Sequence, residues 1–188
     1  MWAGDLAGRA MRSEGWHVAL IGIPGAGKST VARFAADILN YPLVDFDKTI
    51  ERRAGRTIAE IFREDGEGAF REMEAGLTQE LVTAPASVLS PGGGWVTRPE
   101  VVGLIRPRTI LVWLTVSPRV AVRRMGAGVS RRPLLMKGDP AAVLAGILAE
   151  REGLYSAADV TIDTEVYTPQ AVAHQVARLA SGWPGRVG

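Results

Sequence analysis

The sequence predicts an α/β protein, a parallel sheet with helices packed on both faces. Three observations predict it. Short apolar runs alternate with stretches of helical periodicity along the 188 residues. The runs are apolar throughout, as strands covered on both faces must be. The first run feeds directly into a glycine-rich turn that opens a helix, Gly22-Ile23-Pro24-Gly25-Ala26-Gly27-Lys28-Ser29.

The elements follow in chain order. His17–Ile21 is the first strand, and Val31, Phe34, Ala35, Ile38 and Leu39 then recur at helical spacing. Pro42–Phe46 is the second strand. A long helical stretch comes next, with Ile58, Ile61 and Phe62 on one face and Phe70, Met73, Leu77 and Leu81 forming a second stripe; Gly66 separates the two. Ser87–Ser90 and Thr109–Val116 are the third and fourth strands. A helix over Arg119–Met125 leads into the glycine- and arginine-rich segment Gly126–Pro133, which reads as a mobile loop. Ala141–Glu150 is helical, and Val160–Ile162 is the fifth strand. Thr168 and Pro169 are the N-cap and first position of a last helix whose Val172, Val176 and Leu179 face inward. There is no internal repeat and no linker long enough to separate a second domain from the first. Residues 1–16 read as a flexible N-terminal extension and residues 17–183 as a single domain.

Composition sets the outer bounds. Hydrophobic residues make up 47% and charged residues 22%, ordinary for a globular protein with a real core. The net charge of +2 is too small to argue for nucleic acid or a membrane surface as partner. Lysine occurs only as Lys28, Lys48 and Lys137, so almost all of the positive charge is arginine, the side chain that grips carboxylates and phosphates in bidentate fashion. The absence of cysteine excludes a disulfide framework, a thiolate zinc site and a cysteine nucleophile. The longest strongly apolar run, Thr109–Val116, is far too short to span a bilayer, and the first 16 residues lack the apolar core of a signal peptide. A cytoplasmic location follows as the expectation.

The glycine turn fits G-x-x-x-x-G-K-[ST], and its strand-before, helix-after context fits as well. Unpaired backbone N–H groups and the positive end of a helix dipole converge there, so the turn cradles a phosphate chain, with ATP or GTP as the expected ligand. Gly25, Ala26, Gly27, Lys28, Ser29 and Thr30 form the cradle. Lys28 adds a full charge, and Ser29 supplies a hydroxyl for Mg²⁺.

A second constellation narrows the chemistry. Asp45-Phe46-Asp47 closes the second strand, where alternation puts both carboxylates on one side, beyond the carboxyl end of the sheet. One suits Mg²⁺ through its water shell, and the other suits a proton from an attacking hydroxyl. The plainer role for Asp47 is a helix N-cap. Glu67, Arg71 and Glu74 are spaced as ion pairs on a helix face, a pattern that by itself marks only a solvated surface. Gly92-Gly93-Gly94 lets a ligand lie against backbone.

Asp45-x-Asp47-x-x-Ile50-Glu51, Gly55-x-x-Ile58-x-x-Ile61-Phe62, Gly66-Glu67-x-x-Phe70-Arg71-x-x-Glu74, Gly92-Gly93-Gly94, Arg132-Pro133-Leu134-Leu135 and Arg151-x-x-Leu154-Tyr155 occur in that order. The series resembles the shikimate kinases, from about Val18 to Val172. The resemblance implies a three-layer α/β/α P-loop kinase fold with a five-stranded parallel sheet, a helical substrate-binding segment at about 47–80 and a mobile lid at about 126–139. It implies transfer of the ATP γ-phosphoryl group to the 3-hydroxyl of shikimate, a step in chorismate and aromatic amino-acid synthesis, by a monomer using Mg²⁺. By resemblance, Asp47 activates the hydroxyl, and Lys28 and Arg132 complete the catalytic set. Arg71 and Arg151 grip the shikimate carboxylate, and Gly92, Gly93 and Gly94 lie against its ring. Arg124, Arg132 and Pro169 bind ATP with the cradle, and Ser29 and Asp45 hold Mg²⁺, the latter through water.

Two other classes fit the phosphate cradle: a kinase of the same fold acting on gluconate or a nucleoside monophosphate, and a non-catalytic nucleotide-binding module. Asp47, Arg71 and Arg151 with the triple glycine fit a carboxylated polyol and argue against the first, and the presence of Lys28, Asp47 and the lid arginine Arg132 argues against the second. Trp95 stands where the family more often has a small residue, so it either narrows the substrate pocket or packs outward. His17 and His174 read as core or surface residues.

Overall fold

The computed structural model describes residues 15–131, 135 and 138–184. Residues 1–14 of the expected extension, and Arg132, Pro133 and Leu134 of the expected lid, lie outside the described residues. Trp16, expected in the extension, instead packs against the core.

Five strands form one sheet: β1 His17–Ile21, β2 Leu43–Asp45, β3 Val88–Ser90, β4 Thr109–Thr115 and β5 Val160–Asp163. Their order is β2-β3-β1-β4-β5, and every neighbouring pair is parallel. Val18, Ala19, Leu20, Val88, Leu89, Ile110, Val112 and Leu114 are buried at the centre, which is why these runs carry no polar alternation. The carboxyl ends of β1, β2 and β3 lie side by side, and the glycine turn, Asp45 with Asp47, and the triple glycine follow directly from them.

Eight α-helices among the described residues cover the sheet. They are α1 Lys28–Leu39, α2 Phe46–Ala54, α3 Ile58–Glu64, α4 Gly66–Leu81, α5 Pro99–Ile105, α6 Pro118–Met125, α7 Pro140–Tyr155 and α8 Pro169–Ser181. None is long and apolar enough to cross a membrane. Helix α1 packs on α8, and small residues are prominent among those each helix buries, Ala32, Ala35 and Ala36 on α1 and Ala173, Ala177 and Ala180 on α8. Ile38, expected on the inward face of α1, is 43% exposed. Thr57 and Glu60 form a reciprocal capping box at α3, and Thr168 caps α8 as its sequence predicts.

The second strand is shorter than expected. It ends at Asp45, and Phe46 already opens α2. The cap of α2 is Asp45, whose Oδ1 accepts from the Lys48 N–H at 3.3 Å, and not Asp47. Asp139 caps α7, which runs on past the expected Glu150 to Tyr155 and so carries Arg151 on its last full turn. Gly126–Arg131, within the segment read from sequence as a mobile loop, forms 3₁₀ turns.

Candidate active site

The phosphate cradle is built by backbone alone. Gly27 begins α1 in a left-handed conformation (φ 89°), no side chain caps the helix, and no acidic residue occupies its first turn. The first-turn N–H groups therefore remain available to an anion. Gly25 (φ +85°) is fixed twice over: a Cβ there would stand 2.6 Å from the Ala121 carbonyl oxygen, so the loop presses backbone to backbone on α6. Lys28 Nζ arches back over the loop and donates to the carbonyls of Gly22 at 2.8 Å and Ile23 at 3.1 Å, which holds its charge beside the helix N-terminus.

A cleft of about 470 Å³ opens from this cradle. Gly25, Ala26, Gly27, Lys28, Ser29 and Thr30 form its floor. Asp45, Asp47, Ser90, Gly92 and Gly93 line one end, and Arg124, Tyr167 and Pro169 the other. Both aspartates reach the cleft, but not by strand alternation. Asp45 is the last strand residue and Asp47 sits in the first turn of α2; Phe46, fully buried between them, turns the chain. Arg124 is held by Thr164, donating to its Oγ1 at 2.8 Å and its carbonyl at 2.5 Å. Ser29 Oγ lies 3.3 Å from Ser90 Oγ, which joins the cradle to the end of β3.

Among the described residues no three acidic or imidazole side chains group closely enough to hold a metal on their own. The donors present, the Ser29 hydroxyl with the Asp45 carboxylate in the same cleft, fit an ion that keeps waters and arrives with nucleotide phosphates, as Mg²⁺ does.

The triple glycine is the hub of the opposite end. Gly92 faces two carboxylates: a Cβ built on it would lie 2.9 Å from Glu74 Oε1 and 3.5 Å from Asp47 Oδ1. The Gly93 carbonyl accepts from Arg151 Nη1 at 2.8 Å and from the Tyr155 hydroxyl at 3.1 Å. Gly94 packs under the guanidinium of Arg71. Arg71 donates to Glu74 at 2.6 Å and to Glu67 at 2.7 Å. Three consecutive residues thus bring Asp47 from α2, Arg71 from α4 and Arg151 from α7 to one place. Arg132, expected over the nucleotide, lies outside the described residues.

Glu74, whose spacing reads as part of a solvated ion-pair face, is instead buried at the site. Its side chain is 3% exposed, and among the described residues its Oε1 has no hydrogen-bond partner. Burial pushes its carboxyl above the usual range, Arg71 pulls it back down, and the charge of Asp47 pushes it up further. The spacing Arg71-x-x-Glu74 signals a shared helix face, but not that the face is buried. Tyr155, four residues after Arg151 on α7, is a second buried group at the site for which the sequence suggests no individual role. Burial raises its hydroxyl pKa. Trp95 does not enter the cleft; it is 2% exposed and packs behind the triple glycine.

An uncapped helix N-terminus over a glycine loop, facing a separate pocket of carboxylates and arginines, defines the class: a P-loop phosphotransferase for a small acceptor. Comparison with known proteins makes this specific. Residues 24–180 match the family model "Shikimate kinase". A shikimate kinase of Mycobacterium avium (strain 104) is 44% identical over 158 residues, covering 84% of this chain and 89% of that one. One from Synechococcus sp. (strain CC9605) is 40% identical over 168 residues, covering 89% and 84%. The structure of shikimate kinase from Acinetobacter baumannii in complex with shikimate superimposes with a TM-score of 0.82 at 33% identity, covering 89% of this chain and 93% of that one. The chain belongs to the shikimate kinase family.

Proposed function

We propose that the chain transfers the γ-phosphoryl group of ATP to the 3-hydroxyl of shikimate. The observation that carries this reading is the convergence of Asp47, Arg71 and Arg151 on Gly92–Gly94, next to the phosphate cradle. A ring bearing one carboxylate and three hydroxyls is matched by two guanidiniums, a carboxylate and exposed backbone.

In this reading Arg71 and Arg151 hold the shikimate carboxylate, with Arg151 loosening its bond to the Gly93 carbonyl. The ring lies on Gly93. Asp47 accepts the proton of the 3-hydroxyl as that oxygen bonds to the γ-phosphorus and the bond to the β–γ bridging oxygen breaks, leaving ADP. Lys28 and the α1 N-terminus stabilise the charge spread over the equatorial oxygens. Ser29 and Asp45, the latter through water, would hold Mg²⁺, which would supply neutralising positive charge to the nucleotide phosphates. Arg124, Tyr167 and Pro169 flank the adenine. In this role residues 126–139, with Arg132, serve as the lid over ATP that keeps water from competing with the shikimate 3-hydroxyl. The reaction belongs to aromatic amino-acid synthesis, and we place it in the cytoplasm, carried out by a monomer.

The test is a coupled ADP-release assay with shikimate, gluconate and nucleoside monophosphates as acceptors. Shikimate-dependent turnover alone is expected. Turnover with gluconate or a nucleoside monophosphate, and none with shikimate, would overturn the proposal.

A further inference from the structure

We infer that Trp95 is a positioning residue for the acceptor end of the cleft, a role that rests on the function proposed above. Its indole stands behind the triple glycine and touches both neighbouring elements that carry acceptor-site side chains. The indole Nε1–H donates to Thr78 Oγ1 at 3.0 Å in the interior. Thr78 in turn donates to the carbonyl of Glu74 at 2.8 Å, so its hydroxyl is fixed in both directions. On the other side the Trp95 ring meets Phe46 edge-on, with centroids 6.1 Å apart and planes at 71°. Phe46 directly precedes Asp47. Trp95 itself directly follows Gly94, and its backbone N–H closes the glycine turn on the Gly92 carbonyl at 3.0 Å.

One side chain therefore links the turn bearing the hub, the helix bearing Arg71 and Glu74, and the helix start bearing Asp47. A hydrogen bond to a single acceptor fixes how α4 is rotated about its own axis relative to the glycines, and that rotation aims Arg71 and Glu74. A phenylalanine there fills the space less well and cannot donate. None of the residues Trp95 joins belongs to the nucleotide cradle. The consequence is selectivity: loosening this link disturbs acceptor binding and leaves nucleotide binding alone, whereas a residue that merely fills the core lowers stability and affects both substrates together.

The test uses two variants that keep most of the volume. Trp95→Phe keeps a ring against Phe46 and removes the donor; Thr78→Val removes the acceptor. Each is expected to raise the KM for shikimate about fivefold, the scale of one lost internal hydrogen bond, with kcat and the KM for ATP within about twofold of wild type. The double variant is expected to be no worse than either single one, because both remove the same link. Circular dichroism checks that each variant is folded, and if Trp95→Phe is not, Thr78→Val decides alone. An unchanged shikimate KM, a parallel rise for both substrates, or full additivity in the double variant would overturn the inference and leave Trp95 as core packing. Absence of shikimate turnover in the wild type would overturn the proposed function, and this inference with it.

Discussion

Gly94 sits so close under Arg71 that a Cβ on the glycine would lie 2.7 Å from the guanidinium carbon. The backbone at Gly94 (φ −91°, ψ −7°) is open to any residue, so space and not conformation demands glycine here. Gly94→Ala should push the guanidinium aside without straining the chain. The expected result is a rise of about tenfold in the KM for shikimate, since small misplacements at a binding group are costly, with ATP affinity unchanged. Gly25→Ala is the contrast. There the clash is with the α6 backbone and φ is positive, so nucleotide binding should fail. Steady-state kinetics with each substrate varied in turn separates the two.

Asp47 reaches the cleft from the first turn of α2, opposite Gly92. Asp47→Asn keeps the shape and removes the proton acceptor. Turnover should fall at least ~10²-fold, the low end for losing a general base. Shikimate binding, followed by equilibrium titration, should persist through the arginines. Near-normal turnover would remove Asp47 from the chemistry.

Much of this site is legible in the sequence, and the boundary of what is legible has physical causes. The phosphate cradle depends on backbone conformations that only glycine adopts easily, so its letters nearly determine its shape. The partnership of Arg71 with Glu74 is also written in the spacing. What the spacing does not carry is tertiary environment. Whether that helix face meets water or the triple glycine depends on β3 returning beside it, and so the burial of Glu74 is invisible locally. Asp45 and Asp47 illustrate a right placement reached by the wrong route. Alternation along a strand and a tight strand-to-helix turn both set two carboxylates over the carboxyl edge, and a three-residue strand is too short for periodicity to tell them apart. Trp95 is undecidable from sequence for a related reason. Its role depends on Thr78 and Phe46, which come next to it only in the fold.

Glu74 makes a prediction about pH. Its carboxyl is held above the ordinary value of 4.5 mainly by burial, so the folded chain binds that proton more tightly than the unfolded chain does. As pH rises from about 4.5 through the raised value, this residue's contribution to stability falls. Glu74→Gln should remove that loss, since an ionised carboxylate is no longer buried. It should also weaken shikimate binding, because Arg71 keeps only Glu67 as a charged partner on α4. Urea midpoints across pH for both proteins check the first effect and the shikimate KM the second. An unchanged pH dependence in the variant would show that Glu74 is not the group responsible.

His17 acts in the opposite sense, far from the chemistry. It is fully buried at the start of β1, where its Nε2–H donates to the Leu81 carbonyl at 3.0 Å and its Nδ1 accepts from the Ser87 N–H at 3.1 Å. The ring thereby ties the end of α4 to the approach to β3, and it does so only when neutral. A proton on Nδ1 would face the Ser87 N–H donor to donor. Burial lowers the pKa to about 4, and the nearby charge of Arg108 pushes the same way. The unfolded chain takes up its proton near the ordinary value of 6.5. His17 therefore contributes fully above that pH, and its contribution falls as the pH drops from 6.5 towards 4, by on the order of 3 kcal/mol in all. In His17→Gln an amide stands in for the imidazole, with a donor and an acceptor but no titration. Its unfolding midpoint should lie below that of the wild type at pH 7.5, and it should fall less steeply between pH 6.5 and 4. Equal slopes for the two proteins over that range would assign the acid sensitivity to other groups.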